Sequence, residues 1–251
     1  PMNAAWSRRV LETFDASARR YDALATLQQA MALRLAEHCR RTDIVSGFWV
    51  DLGSGTGQLA EALEAIRPGQ TVLRVDGSAA MLRQHPATAA TERFDLSAGL
   101  PVWSRPPTLL ASSFVLHWLP EPERQLRRWW NALAPGGVLA LSVPIRGSFP
   151  QWHAAATAAG VPCTALPLPD GEQLLEAIPG SAIHLQRQLL FTQSASDPLR
   201  LLRPMAKLGA GTTSAPQLSA AAWRRLLRAW PQAGGRSFRL TWRILLVLLR
   251  R

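Results

Sequence analysis

Cysteine is nearly missing from this 251-residue chain: Cys39 and Cys163 stand far apart, with no CxxC spacing. That excludes a cysteine metal site and a disulfide framework, and leaves two free thiols expected to be buried. Long apolar runs are missing too. The longest, "ILLVLL" at 244–249, has the length of a strand, far short of the roughly 20 residues that span a bilayer. The stretch "PMNAAWSRRVLETFDASARRYD" holds no apolar signal-peptide core, so a cytoplasmic location is expected. Acidic side chains are scarce, 17 against 28 basic ones that are nearly all arginine, for a net charge of +11. Such an excess draws in polyanions across roughly 8–10 Å before salt screens it. An acidic protein, a nucleic acid and a membrane surface all fit that charge, as does simple compositional drift toward arginine. Hydrophobic residues are plentiful at 47%, enough for a proper core.

Periodicity organises the chain. Residues 4–41 read as helical, with Leu24, Leu27, Met31 and Leu35 recurring at three- and four-residue spacing and no Pro or Gly to interrupt. "FWVDLG" (48–53) reads as a buried strand, "QLAEALEAI" (58–66) as a helix and "TVLRVDGS" (71–78) as the next strand. "AAMLRQH" is a short helix, "ERFDLSAGLP" a short strand and turn, and "TLLASSFVLHWL" (108–119) a buried strand running into a loop. "PERQLRRWWNAL" is a helix stopped by "APGG", and "VLALSVP" (138–144) a further strand. Alternating strands and helices imply a doubly wound α/β fold, a parallel sheet covered on both faces. Beyond residue 147 the pattern loosens. "FPQWHAAATAAG" and "PLRLLRPMAKLGAG" read as helices and "AIHLQRQLLFTQ" (182–193) as an alternating strand. An amphipathic helix at 218–230 carries Leu218, Ala222, Leu226 and Trp230, and "FRLTWRILLVLLR" closes as a strand. No internal repeat or low-complexity linker divides the chain. One domain over 1–251 is expected, with N-terminal helices at 1–41, a core at 46–147 and a C-terminal part at 148–251.

The stretch "VDLGSGTG" (50–57) carries the chemistry. It follows a strand and opens a helix, where backbone N–H groups face a ligand. A dinucleotide fingerprint needs G-x-G-x-x-G; here Gly53, Gly55 and Gly57 alternate, and Gln58 follows. Asp51 precedes the first glycine by two residues. It would repel a pyrophosphate but suits an ammonium group. S-adenosylmethionine (SAM) has that group, a ribose diol and no phosphate. Its diol calls for a carboxylate ending the next strand, and Asp76 stands there, 19 residues after Gly57. Asp95 is placed for the adenine amino group. Ser54, Gly77, Met81, Leu96 and Ser113 complete the expected cofactor wall, and no metal site is expected.

The loop, Asp76, Asp95 and "LAPGGVLALSV" together resemble the class I SAM-dependent methyltransferases. Outside the core, further segments resemble one family, the malonyl-[acyl-carrier protein] O-methyltransferases of biotin synthesis. They are "FDASARRYDALATLQQAMALRL" (14–35), "LHWL" (116–119), "GSFPQWHAA" (147–155), "LLRPMAKLGAG" (201–211) and "RLLRAWPQAGGRSFRLTWRILL" (225–246). Three departures stand out: Thr108 where the group usually has an aspartate, His117 where it often has glutamine, and Ala206 where its lysine is expected, with Lys207 one place off. The resemblance implies a Rossmann-like, mostly parallel seven-stranded sheet with an antiparallel C-terminal strand and a helical lid around 195–230. It also implies methyl transfer from SAM to the free carboxylate of a malonyl thioester, carried on acyl-carrier protein or coenzyme A.

Such an acceptor makes modest demands. A carboxylic acid of pKa about 4 is already ionised at neutral pH, so no general base is needed. Bringing the groups together and stripping water suffices. Tyr21, His117, Trp118 and Arg146 are the candidates to hold the carboxylate, with plain packing or solvation as the competing reading for each. Arg124, Arg127 and Arg128, and Arg200, Arg203, Arg224, Arg225 and Arg228, could form a docking face for an acidic carrier protein. Alternatives are a methyltransferase for another small carboxylate or a quinone-like metabolite, a non-catalytic SAM-binding regulator and an RNA-binding methyltransferase. The last lacks a separate RNA module and aromatics interleaved in basic runs.

Overall fold

The computed structural model describes residues 4–207, 217–235 and 237–251. The chain opens with helices α1 (Ala4–Ser17), α2 (Tyr21–Leu24) and α3 (Thr26–Arg40). The core follows as β1 (Trp49–Leu52), α4 (Gln58–Ile66), β2 (Val72–Asp76), α5 (Ala79–Leu82) and β3 (Thr91–Arg93). It continues with β4 (Leu109–Ser113), α6 (Pro122–Ala132) and β5 (Val138–Pro144). The remainder is α7 (Pro150–Ala159), α8 (Gly171–Glu176), β6 (Ile183–Ala195), α9 (Pro198–Lys207), α10 (Ala220–Arg228) and β7 (Phe238–Arg250).

The seven strands lie in the order β3-β2-β1-β4-β5-β7-β6. The first five are parallel, while β7 runs antiparallel to both β5 and β6. Strand order reverses at β1 and β4, and doubly wound sheets bind ligands in the crevice at the carboxyl ends of such neighbours.

The sheet is covered on both faces. On β7, Leu245, Val247 and Leu249 join one core with α6 and α8, through Leu126, Trp129 and Leu174. Leu246 and Leu248 point the other way, into a core with Leu35 and Ala36 of α3 and Leu59 and Leu63 of α4. This is the period of two that a pleated strand imposes. All seven residues of β5 are buried, as expected of a strand covered on both sides. A third core packs Trp152, Leu201, Leu202, Met205, Leu226 and Trp230 of the helical cover against Leu240, Trp242 and Ile244.

The helical stretch at 4–41 is divided into α1, α2 and α3 by a short 3-10 turn at Ala18–Arg20 and a break at Ala25. Helix α8 was not foreseen. The glycine-rich end expected for the helix beginning at Pro198 falls at 208–211, outside the described residues. Cys39 is buried and Cys163 half-buried, both free. Among the described residues no helix is long and apolar enough to cross a membrane.

Candidate active site

The glycine loop leaves β1 into a cleft at the carboxyl ends of the strands. Its wall includes Gly53, Gly55, Asp76, Gly77, Met81, Asp95, Leu96 and Ser113. The loop is shaped by contact as well as by turn geometry. Gly53 has φ +69°, and a Cβ there would lie 2.3 Å from a methyl of Val115, so no side chain is accommodated. Gly55 has φ +54° with open space where its Cβ would project, so the bare backbone faces the cleft.

Asp76 organises this loop. One carboxylate oxygen accepts from the Gly55 N–H at 2.8 Å and the other from the Ser78 N–H at 2.8 Å. Burial still raises its pKa against the pull of those donors. His85 adds a support missed in the sequence, its Nε2–H donating to the Gly55 carbonyl at 2.8 Å. Asp95 caps the following 3-10 turn by accepting from the Ser97 N–H at 2.9 Å, and reaches the cleft from its exposed rim.

Asp51 sits deeper. It is 1% exposed and lines a side cavity with Ser54 and Gly53. Its carboxylate accepts from the Ala60 N–H at 3.1 Å. Burial is the main reason its pKa rises to about 7, with the Asp76 charge adding to it. The Ser54 hydroxyl beside it is buried without a hydrogen-bond partner. An acid held near neutrality and an orphaned hydroxyl are what an amino acid's ammonium and carboxylate would satisfy. The residues present fit SAM: Asp51, Ser54 and the bare loop could hold its methionine end, Asp76 its ribose, and Asp95, Leu96 and Met81 its adenine. Gly57 opens α4 and lines neither cavity.

The acceptor candidates separate. Tyr21 lines the cleft, the side cavity and a second chamber, so it is common to all three. Burial, then the Asp76 and Asp22 charges, raises its pKa, and the hydroxyl stays protonated. Trp118 lines both the cleft and the chamber, stacked on Trp6 and edge-on to Phe14. His117 lines the chamber, and burial depresses its pKa to about 3, which keeps the ring neutral. Arg146 goes elsewhere. It is exposed, pairs with Asp170 at 2.9 Å and lines none of these cavities, because the loop after β5 turns it toward the start of α8. Chamber residues that the sequence did not single out are Phe14, Gln28, Phe114, Phe149, Leu166, Met205 and Trp242. They come from α1, α3, α9, β7 and three connecting segments, so no local motif links them.

The N-terminal helices roof the cleft, Val10, Leu11 and Phe14 of α1 forming part of its wall. Two carboxylates hold them down. Asp15 accepts from the Ser78 hydroxyl at 2.5 Å and the Ala80 N–H at 3.1 Å. Asp22 accepts from the Thr56 hydroxyl at 2.6 Å and the Gln58 amide at 2.7 Å.

Comparison with known proteins agrees with this geometry. Residues 50–141 match the family described as "Methyltransferase domain". A trans-aconitate 2-methyltransferase of Deinococcus radiodurans is 44% identical over 96 residues, 38% of this chain and 37% of that protein. Another, from Methylobacterium nodulans, is 37% identical over 116 residues, 45% of this chain and 44% of that protein. In both, the chain spans less than half the length of the relative it matches. Among solved structures, the YcgJ protein from Bacillus subtilis superposes with a TM-score of 0.57 at 10% identity, over 87% of this chain and 98% of that one. DhpI, in its complex with SAM and HEP, gives 0.55 at 18% identity, over 76% and 94%. The fold is thus the Rossmann-like methyltransferase fold, a seven-stranded, mostly parallel sheet with an antiparallel C-terminal strand. Residues 50–141 are similar to the methyltransferase-domain family, and one neighbour in fold was solved in complex with SAM. The relatives' names differ from the malonyl carrier family that the outer segments resemble.

Proposed function

We propose that this protein transfers the methyl group of SAM to the oxygen of a small carboxylate, forming a methyl ester. One observation carries the reading: the SAM-fitted cleft and a second chamber lie side by side, sharing walls of Phe14, Tyr21, Phe114 and Trp118. When bound, SAM supplies an electrophilic methyl on its sulfonium. The protein's part is to align and desolvate. Asp51, Asp76 and the loop fix the cofactor side, while Tyr21 and the aromatic walls exclude water and orient the acceptor. No basic group is needed to remove a proton from an acid already ionised at neutral pH. Among the described residues none with a suitable pKa faces the chamber, since His117 is held neutral by burial.

Two acceptors fall within this class. The curated relatives are named for trans-aconitate. The segments outside the core resemble the enzymes that methylate malonyl-acyl-carrier protein, and we favour a malonyl thioester as the acceptor. Its carrier would meet α9 and α10, where Arg200, Arg203, Arg224, Arg225 and Arg228 are exposed and, among the described residues, in no ion pair. Incubation with labelled SAM and each acceptor tests the reading. Label recovered in a base-labile ester supports it; label found only in a base-stable product, on nitrogen or carbon, contradicts it. Restored growth of a biotin-requiring strain lacking its malonyl methyltransferase would single out the malonyl thioester.

A further inference from the structure

The second chamber is unusual in its walls. Among the described residues it is lined by four phenylalanine and tyrosine rings, two tryptophans, a leucine, a methionine, Gln28 and the neutral ring of His117. None of these carries a charge. Two polar atoms on that lining are buried without any hydrogen-bond partner, Nδ1 of His117 and the indole Nε1–H of Trp242. The residues are 4% and 6% exposed.

Trp242 is costly where it stands. Its neighbours on the same face of β7, Leu240 and Ile244, fill the same core without a polar atom. A phenylalanine would match their contribution and leave no donor stranded. Instead the indole is fixed from two sides, with Phe149 edge-on at 4.6 Å between ring centroids and Phe114 at 5.9 Å. Both of those phenylalanines have positive φ, +63° and +59°, a conformation that bulky side chains rarely adopt and that clusters at functional sites. His117 is held in the same way, edge-on to Phe114 at 6.1 Å and against Trp118 at 4.8 Å.

We propose that Trp242 and His117 are the specificity-determining hydrogen-bond donors to the acceptor, and that this chamber admits an acceptor bearing a single negative charge. This inference rests on the reading of the chamber as the acceptor site. The indole N–H and a proton on Nδ1 each donate to one carboxylate oxygen, and the surrounding rings remove water. Neutral donors orient the carboxylate without the strong pairing that an arginine would impose, so the oxygen stays nucleophilic. Three carboxylates on one small acceptor would each need a counter-charge on burial, and these walls supply none. A tricarboxylate is therefore excluded by the same feature that admits a half-thioester of a dicarboxylic acid.

The test uses the full chain saturated with S-adenosylhomocysteine, titrated calorimetrically with two probes. These are the malonyl thioester of N-acetylcysteamine, with one charge, and trans-aconitate, with three. The monoanion is expected to bind at least tenfold more tightly. Trp242→Phe keeps the ring contacts and removes the donor, and should weaken the monoanion about tenfold with unchanged affinity for S-adenosylhomocysteine and unchanged melting temperature. His117→Leu should act likewise, and His117→Asn, which restores a donor, should recover most of the loss. In turnover, KM for the thioester should rise while kcat moves less than threefold. Trans-aconitate binding as tightly as the monoanion, or Trp242→Phe leaving the thioester affinity unchanged, overturns the inference. Methyl transfer favouring trans-aconitate would refute it yet leave the carboxylate reading standing. Trp242-dependent binding of the monoanion without transfer to any carboxylate would do the reverse.

Discussion

At the scale of single residues, burial raises the pKa of both Asp51 and Asp76, and the titration of Asp51 gives a handle on the cofactor site. The raised pKa of Asp51, about 7, means that the folded protein holds a proton there that the unfolded chain has released near pH 4. That favours folding at acidic pH and is lost as pH climbs from about 4 through 7. An ammonium group at Asp51 needs the charged form, so SAM affinity should increase from pH 5.5 to 7.5, with proton release visible in calorimetry across buffers of different ionisation enthalpy. Flat affinity over that range would remove Asp51 from the cofactor site. His117 gives the opposite expectation. With its pKa near 3, it does not change charge between pH 6 and 9, so kcat/KM for the acceptor at saturating SAM should show no histidine limb. Of the single residues, the glycine loop and its acidic partners were legible because turn geometry and charge leave local marks. Trp242 and Phe149 were not, because nothing in "RLTWRI" or "GSFPQW" tells which core a ring will join.

At the scale of elements, the roof over the cleft is fastened by few bonds. Asp22 reaches across 34 residues to Thr56, and Asp15 across 63 to Ser78. They lie on either side of the short 3-10 turn that separates α1 from α2, a boundary that no Pro or Gly marks. Asp22→Ala should speed hydrogen exchange in α1 and α2 and weaken SAM several-fold, while exchange in β5 and β7 stays slow. Equal protection in the variant would show that the roof is held by packing alone. A second fastening lies under the sheet edge. Glu64 accepts from the buried Arg74 guanidinium at 3.0 Å and from the Val72 N–H at 3.0 Å, tying the end of α4 to the start of β2. Removing it strands a guanidinium that is 3% exposed, so Glu64→Ala should lower unfolding stability by about 3 kcal/mol, measurable by denaturant titration. Strands β5 and β7 and helix α4 were read from the sequence at their observed bounds, because their apolar patterns are long and unbroken. Helix α8 was missed: six residues between proline-rich flanks are too few to show a period.

Across the whole molecule, charge and shape divide the labour. The sheet presents Asp51 and Asp76 from neighbouring strands at the switch point, an arrangement that the alternation of elements already foretold. The chamber is assembled from segments as distant as α1 and β7, so its uncharged character emerges only from the folded chain. The arginines of α9 and α10 named above stay outside it, on the surface. If the exposed set on α9 and α10 receives an acidic carrier, kcat/KM for a carrier-bound thioester should fall steeply between 50 and 300 mM salt, while a small thioester changes little. Parallel salt curves for the two would deny the arginines a docking role.

All of this depends on the cleft at the carboxyl ends of β1 and β2 being the seat of the cofactor. Calorimetric titration of the protein and its Asp76→Ala variant with SAM tests that most directly. One molecule of SAM per chain is expected, with binding weakened by about 1–3 kcal/mol in the variant as the ribose loses its acceptor. Equal affinity in the two proteins would place the cofactor somewhere else and contradict the account.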